Sequence, residues 1–368
     1  MNCQKFKQTK IGKAISINSK RELKKGTIAK KVSMDKLNTF DKNIQGFEII
    51  KYAGGSKFIN GDTLLARITP CLENGKTAYV DFLDEKEIGF GSTEFIVLSG
   101  KEGETTNEFV YYLAISPRFR EQAISSMTGT SGRQRVQTDF LELKEIILPP
   151  LPEQLSIAKI LSSLDEKIEL NNKMNKTLEA IGQALFKKWF IDHPKKEEEE
   201  EKIAENLFKL EYGWHLPEWD RQEGQYPVFG SGGLTGTHNK FFVEGPGIIL
   251  GRAGKIGSKS VYYSAINFCP IETTFYIKTD YKKNIPFIYF FLKNLEMVNT
   301  GSSVPNLSRR DIHNLLMKIP SKKNIDKFYE IINKTLEKIH KNNQQNQTLS
   351  SLRDSLLPKL MSGEIRVK

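Results

Sequence analysis

Cysteine is scarce in this sequence. Cys3, Cys71 and Cys269 stand far apart in 368 residues, odd in number and without a Cys-x-x-Cys pair. Neither a disulfide framework nor a zinc knuckle fits that spacing. No apolar run approaches the ~18–20 residues of a membrane-spanning helix. The opening stretch, Met1 to Lys13, is polar and basic with no apolar segment behind it, unlike a secretory leader. A reducing cytoplasm is the expected location, with no membrane partner. Signatures of catalysis are missing too. Gly75-Lys76-Thr77 has Pro70 where a phosphate-binding loop requires glycine, and the five histidines form no His-Glu-x-x-His. Pro149-Pro150 lies between leucines, not in the Asp/Asn-Pro-Pro-aromatic motif of amino-methyltransferases. Asp62, Glu73 and Lys76 mimic a metal-dependent nuclease triad, but Glu-x-x-Lys is the wrong spacing for one face of a strand. The chain is expected to bind rather than catalyse, and to hold no metal or cofactor of its own.

What is present is enough apolar material for real cores, 38% of the chain, over a length that predicts two or three domains. The net charge of +11 is uneven. Residues 1–150 hold 23 Lys/Arg against 18 Asp/Glu, residues 213–320 hold 12 against 8, and residues 321–368 hold 10 against 5. Only residues 151–212 are acidic, with 10 against 13. The excess fits a polyanion such as nucleic acid, and it also fits a solvated surface.

The chain repeats itself. Asn171-Asn172-Lys-Met-Asn175-Lys-Thr177-Leu178 returns as Asn342-Asn343-Gln-Gln-Asn346-Gln-Thr348-Leu349, an offset of 171 that also relates Glu166-Lys167-Ile168 to Glu337-Lys338-Ile339. Upstream, Gly61 to Arg67 matches Pro246 to Arg252, and Ser92 to Val97 matches Glu272 to Ile277. Gly129-Thr130-Ser131 matches Gly301-Ser302-Ser303, and each is followed by an apolar run and a proline. Two copies of one unit result, each a globular part followed by a helical part. A period this long means domain duplication, not a solenoid.

Residues 153–190 contain no proline and one glycine, and Pro152 stands at a helix start, where its missing N–H costs nothing. Ile157, Leu161, Leu164 and Ile168 step by 4, 3 and 4, and the stepping runs on through Asn171, Asn175 and Leu178 to Leu185. Ile332, Thr335, Ile339, Asn342, Asn346, Leu349, Leu356 and Leu360 repeat it. The two stripes are expected to cover each other in an antiparallel pair with a pseudo-twofold axis. Buried asparagines would cost stability and fix register. Alternatively they face solvent, with Met174 and Ile181 in the seam. Because both halves share one seam, residues 1–192 are expected to pair with themselves. Pro194-Lys195-Lys196 and the run Glu197 to Glu201 read as a linker.

The globular parts read as mixed α+β, with short strands, turns and a few helices. Their loops couple small residues with cations or amides, suited to phosphates and base edges. In copy one these are Arg67, Lys76, Thr130, Ser131, Arg133, Gln134 and Arg135. In copy two they are Ser231, Arg252, Lys255, Ser302, Ser303, Asn306, Arg309 and Arg310. The glycines of Gly251-Arg252-Ala253-Gly254-Lys255-Ile256-Gly257 superficially resemble a nucleotide loop, but follow no complete Rossmann unit. Each residue could equally belong to an ordinary surface turn.

In these features the sequence resembles the specificity subunits of type I restriction-modification systems. The likeness rests on the domain–helix–domain–helix order, on Thr128-Gly-Thr-Ser-Gly with Leu148-Pro149-Pro150-Leu151-Pro152-Glu153-Gln154, and on Ser351-Leu352-Arg353 through Leu356-Leu357-Pro358-Lys359-Leu360 to Ile365. It implies a first target-recognition domain over 1–150, a spacer helix over 151–192 and a charged linker over 193–212. It further implies a second recognition domain over 213–320, a second helix over 321–362 and a tail over 363–368. Each domain would read half of a split target in double-stranded DNA, and the helices would set the gap. Two methyltransferase subunits using S-adenosylmethionine would dock on them, with ATP- and Mg-dependent restriction subunits as further partners. Two departures stand out. The N-terminal strand and helix common in these domains are expected to be shortened in copy two, and Ile319-Pro320-Ser321-Lys322-Lys323 replaces Pro-Leu-Pro-Glu-Gln. A stand-alone structural DNA-binding protein is the alternative.

Overall fold

The computed structural model describes residues 6–130, 132–192, 199–252, 260–295 and 308–367. It is an α+β architecture in which two β-rich domains are joined by two long helices that pack together. The compact units are residues 1–169 with 347–368, and residues 170–346. The units therefore divide within the helices, where a domain–helix boundary was expected. The reason is burial: each half-helix loses its apolar face into one domain core. No helix among the described residues is long and apolar enough to cross a membrane.

In the first unit, an antiparallel sheet runs in the order Ile15–Ile17, Phe95–Gly100, Thr63–Ala66, Thr77–Tyr79. A second sheet runs Glu48–Lys51, Ile28–Val32, Gly89–Gly91, Ser56–Phe58, with one parallel pair in its centre. Helix Asn107–Ile115 covers the first sheet. Its N-terminus is capped by the Thr106 hydroxyl, which accepts from the Phe109 amide, and every residue from Phe109 to Ile115 is buried. The same core takes in Ile157, Ala158 and Leu161 from the first long helix and Leu357 and Leu360 from the second.

The second unit repeats this plan. Lys209–Tyr212, Thr274–Lys278, Gly247–Gly251 and Val261–Ser264 form the first sheet in the same antiparallel order. Helix Asn284–Asn294 packs on it with Phe186, Phe328, Ile332 and Leu336 from the long helices. One expected equivalence slips by a residue. Matching Ser92–Val97 to Glu272–Ile277 aligns Phe95 with Phe275. In the sheets, the amides of Arg67 and Arg252 donate to the carbonyls of Glu94 and Thr273, so Phe95 corresponds to Thr274. Side-chain direction agrees. Leu65 and Ile96 face the helical core, as do Leu250 and Phe275, whereas Phe95 faces the other way.

Of the segment expected as a charged linker, residues 199–212 are strands and a turn of the second domain. Glu199–Ile203 pairs antiparallel with Leu316–Pro320, a single 3-10 turn follows at Ala204–Asn206, and Lys209–Tyr212 edges the sheet. These correspond to Lys7–Lys10, which pairs with Glu145–Leu148, to the short helix Ile11–Ala14, and to Ile15–Ile17. The opening of the second domain is thus present within the acidic stretch. A ladder is made by backbone groups, so acidic composition does not prevent it, and Glu201 lies opposite Lys318.

The first long helix, Leu151–Phe186, passes into a π-helical turn at Lys187–Asp192, and the second spans Lys322–Ser362. The motif at the start of the first is structural. Gln154 is buried, donates to the carbonyls of Glu104 (2.8 Å) and Pro149 (3.0 Å), and accepts from the Thr106 amide (3.2 Å). The Glu153 carboxylate takes both ends of the Arg366 guanidinium at 2.7 Å, with the Val367 amide at 3.2 Å.

Two predictions follow from this packing. A Cβ on Gly182 would meet Cζ of the buried Phe290 at 2.3 Å. Helix propensity favours alanine by about 1 kcal/mol, but displacing a packed ring costs about 1–3 kcal/mol. Gly182→Ala should therefore lower the thermal unfolding midpoint. The hydrogen bond from Arg366 holds the Glu153 carboxyl below the usual carboxylate range, despite burial. That stabilisation is present above the unfolded carboxylate pKa and is lost as pH falls through the depressed folded value. Arg366→Ala should accordingly lower the unfolding midpoint near neutral pH, and lower it much less well below about pH 4.

Candidate nucleic-acid interface

In the first unit, the end of strand Thr63–Ala66 and the ladder Met127–Thr128 with Arg135–Val136 come together. The Val136 amide donates to the Arg67 carbonyl (2.9 Å) and the Thr69 amide to the Gln134 carbonyl (3.1 Å). Arg67, Gln134 and Arg135, distant in sequence, thus share one edge. Their roles differ. The Arg135 guanidinium grips Glu94 with contacts of 2.8, 3.0 and 3.0 Å. This pair raises its pKa and commits it to the fold. Lys76 Nζ donates to the Met34 carbonyl at 3.0 Å. Arg67 reaches the Val136 carbonyl at 3.4 Å, and its Nε is buried without a partner among the described residues. Thr130 and Arg133 are exposed at the tip, where the Arg133 guanidinium has no partner among the described residues. Gly129, at φ +132°, makes this turn possible, because a Cβ there would meet the Arg133 carbonyl oxygen at 2.9 Å. Ser131 lies outside the described residues.

Sequence reasoning missed Lys20, Arg21 and Lys57, which with Asn18, Thr93 and Arg67 line a polar cavity of about 610 Å³. Arg21 is locked to the buried Asp62 at 2.7 Å. Asp62 also accepts from the Ile59 amide and the Ser99 hydroxyl, each at 2.7 Å. Burial pushes its carboxyl up against the pull of those bonds. With Asp62 held by Arg21 and Lys76 by Met34, the nuclease triad is not assembled. No group of three His, Cys, Asp or Glu residues among the described residues could hold a metal.

In the second unit, Arg252 lies over the rings of Tyr212 (4.7 Å) and Phe275 (5.0 Å) and donates to the Glu272 carbonyl at 2.8 Å. Arg309 flanks the same Tyr212 ring at 5.9 Å and stands 3.9 Å from Glu211. Ser231 bonds through its hydroxyl to the Thr273 carbonyl, which pins its glycine-rich turn to the sheet end. Arg310 is exposed. Lys255, Ser302, Ser303 and Asn306 lie outside the described residues. Tyr212 was missed because it fell in the supposed linker.

The long helices pair through asparagines. In the second unit, Asn171 Nδ2 donates to Asn346 Oδ1 and Asn342 Nδ2 to Asn175 Oδ1, both at 2.8 Å. Asn175 donates to Asn343, and Asn346 to Asn172, again at 2.8 Å. The 171-residue offset exchanges these bonds pairwise, so a local twofold axis passes through the cluster. Asn171 and Asn342 are both buried. Leu178, Leu185, Ile332 and Ile339 continue the seam in this unit, with Ile332 fully buried. In the first unit Ile157, Leu161 and Leu360 are buried, while Leu164, Ile168, Leu349 and Leu356 are half-buried.

The model of the type I restriction modification DNA specificity domain matches residues 4–180. The MjaIX specificity subunit of Methanocaldococcus jannaschii is 26% identical over 314 residues, 73% of this chain and 71% of that one. The HindI specificity subunit of Haemophilus influenzae is 36% identical over 134 residues, 36% of this chain and 28% of that one. The chain belongs to the type I restriction-modification specificity subunits. The solved S subunit from M. genitalium has the same fold, with a TM-score of 0.60 at 20% identity over 98% of this chain and 97% of that one. The present specificity subunit is the non-catalytic component that gives its system DNA specificity.

The asparagine cluster is open to a direct check. Asn171→Ala strands the Asn346 carbonyl, and Asn342→Ala strands that of Asn175. Each should cost about 1–3 kcal/mol. Asn171 also donates to Gln345 Oε1 at 2.9 Å, and the counterpart of Gln345 under the offset is Met174, so Asn171→Ala should shift the denaturant midpoint further than Asn342→Ala.

Proposed function

We propose that each domain of this specificity subunit reads one half of a bipartite site in double-stranded DNA, and that the helix pair sets the gap. The observation that carries the reading is the duplicated edge. Each first sheet ends in an arginine, Arg67 or Arg252, whose amide makes the same bond. An exposed arginine is available in each domain, Arg133 beside the first edge and Arg310 on helix Arg309–His313 of the second. Arg133 and Arg310 are the base readers, since a free guanidinium can pair bidentately with guanine. Arg67, Arg252 and Arg309, with Thr130, Gln134, Lys20 and Lys57, line the phosphate path. Arg135 and Lys76 support the loops. Two methyltransferase subunits dock on the helices and flip adenines out of the duplex, using S-adenosylmethionine. Restriction subunits using ATP and Mg²⁺ complete the system.

A whole-genome methylation map of cells expressing this chain with its methyltransferase, against cells lacking it, tests the reading. A split, asymmetric methyl-adenine motif dependent on this chain is expected. A methylated motif in one uninterrupted block would overturn it. Arg133→Ala should weaken specific binding by roughly 10–100-fold at fixed salt, the worth of one bidentate base pair contact. It should relax only the half-site read by the first domain. Arg135→Ala should instead lower the unfolding midpoint.

A further inference from the structure

The helix pair is symmetric at its asparagines and asymmetric one step beyond them. In the first unit, Asp165 of the first long helix accepts from Arg353 Nη1 of the second (2.7 Å) and from the Tyr112 hydroxyl of the domain (2.8 Å). Both charged side chains are nearly sealed from water, at 6% and 7% exposure. Burial disfavours the charged Arg353, but Asp165, with Asp354 beside it, more than reverses this and its pKa is raised. The offset of 171 that relates the asparagines carries Asp165 onto Leu336 and Arg353 onto Gly182.

The domain residue has a counterpart as well. Tyr79, Tyr111 and Tyr112 stack edge to face, with centroids 6.2 and 5.0 Å apart, and Tyr263, Tyr289 and Phe290 form the matching row, tilted at 5.7 Å and edge to face at 5.0 Å. Tyr112 therefore corresponds to Phe290. In the second unit Phe290 lies against Gly182, and Leu336 belongs to the same apolar core. A buried tyrosine–carboxylate–guanidinium triad at one end is replaced by phenylalanine, leucine and glycine at the other.

We infer that this asymmetry makes the two halves of the chain select each other and reject copies of themselves. The shared seam alone would let a first half pair with another first half. In that pairing Asp165 would face Gly182 and lose the Arg353 guanidinium, twice per dimer. Paired second halves would bury Arg353 Nη1 against Leu336 and leave it only the exposed Asp354 of its own helix, 2.9 Å from Nε. Only the pairing of unlike halves gives Asp165 its cation and Arg353 its buried carboxylate. A broken buried ion pair costs enough to shift an equilibrium by roughly 100-fold or more. The four bonds among the asparagines do not discriminate, since they recur in every pairing; the Asn171–Gln345 bond, with Met174 in the place of Gln345 between like first halves, adds a smaller bias in the same direction. The expectation that residues 1–192 pair freely with themselves is thereby revised. The inference concerns chain pairing and does not depend on what the domains bind.

The test uses the whole chain with a protease site inserted between Asp192 and Glu199, cut after folding. The two halves are incubated until their pairing no longer changes and are weighed by native mass spectrometry. Unlike pairs should exceed like pairs by at least about 100-fold. In Tyr112→Phe/Asp165→Leu/Arg353→Gly, which copies the apolar end, like pairs should rise by at least about tenfold. A near-statistical mixture from the unaltered chain, or a variant as selective as the unaltered chain, overturns the inference. A second measurement on the uncut chain does not need the triple variant to fold. Arg353→Leu should destabilise more than Asp165→Leu/Arg353→Leu, because only the single variant leaves Asp165 unpaired. Equal unfolding midpoints would mean that Asp165 needs no partner, and the inference fails.

Discussion

The mutual burial of the two long helices is the constraint on which the rest depends. Each is amphipathic over more than thirty residues, and an apolar stripe of that length must be covered. The chain covers it twice over. Along part of their length the helices face each other, and towards their ends they become part of the domain cores, through Ile157 and Leu161 in one unit and Phe328 and Ile332 in the other. A domain cannot complete its core without its half-helices. The proposed recognition edges therefore rest on the same packing that joins the helices.

Polar groups decide which helical arrangement survives. Apolar side chains tolerate sliding, whereas a buried amide or carboxylate is satisfied in one register only. Asn171, Asn175, Asn342 and Asn346 define that register by bonding across the seam. The Asp165–Arg353 pair, present at one end, adds direction to it. The first element is symmetric and the second is not, which is the pattern a duplicated chain needs when its copies have to remain distinct partners.

At the recognition edges, charge divides into structural and available groups. Arg135, Lys76 and Arg21 are spent on Glu94, Met34 and Asp62. Arg252 is laid over aromatic rings. Each holds a loop in place, and a loop so held would, on the proposed reading, meet a rigid polyanion without the cost of its own ordering. Arg133 and Arg310 remain free for contact among the described residues.

The sequence alone determined the duplication, the helices, their seam and the α+β class, because these are written as local periodicity and literal repetition. The asparagine positions were legible for that reason, though not their partners. Tertiary structure decided the rest. Whether Arg135 is a reader or a strut depends on Glu94, forty-one residues away. Asp165 sat unnoticed beside the seam because its meaning lies in Arg353 and Tyr112, on two other helices. The acidic stretch concealed the second domain's first strand, since ladder bonds are made by the backbone and leave no mark in composition. Periodicity reports which face of an element is covered. Only the folded chain reports what covers it.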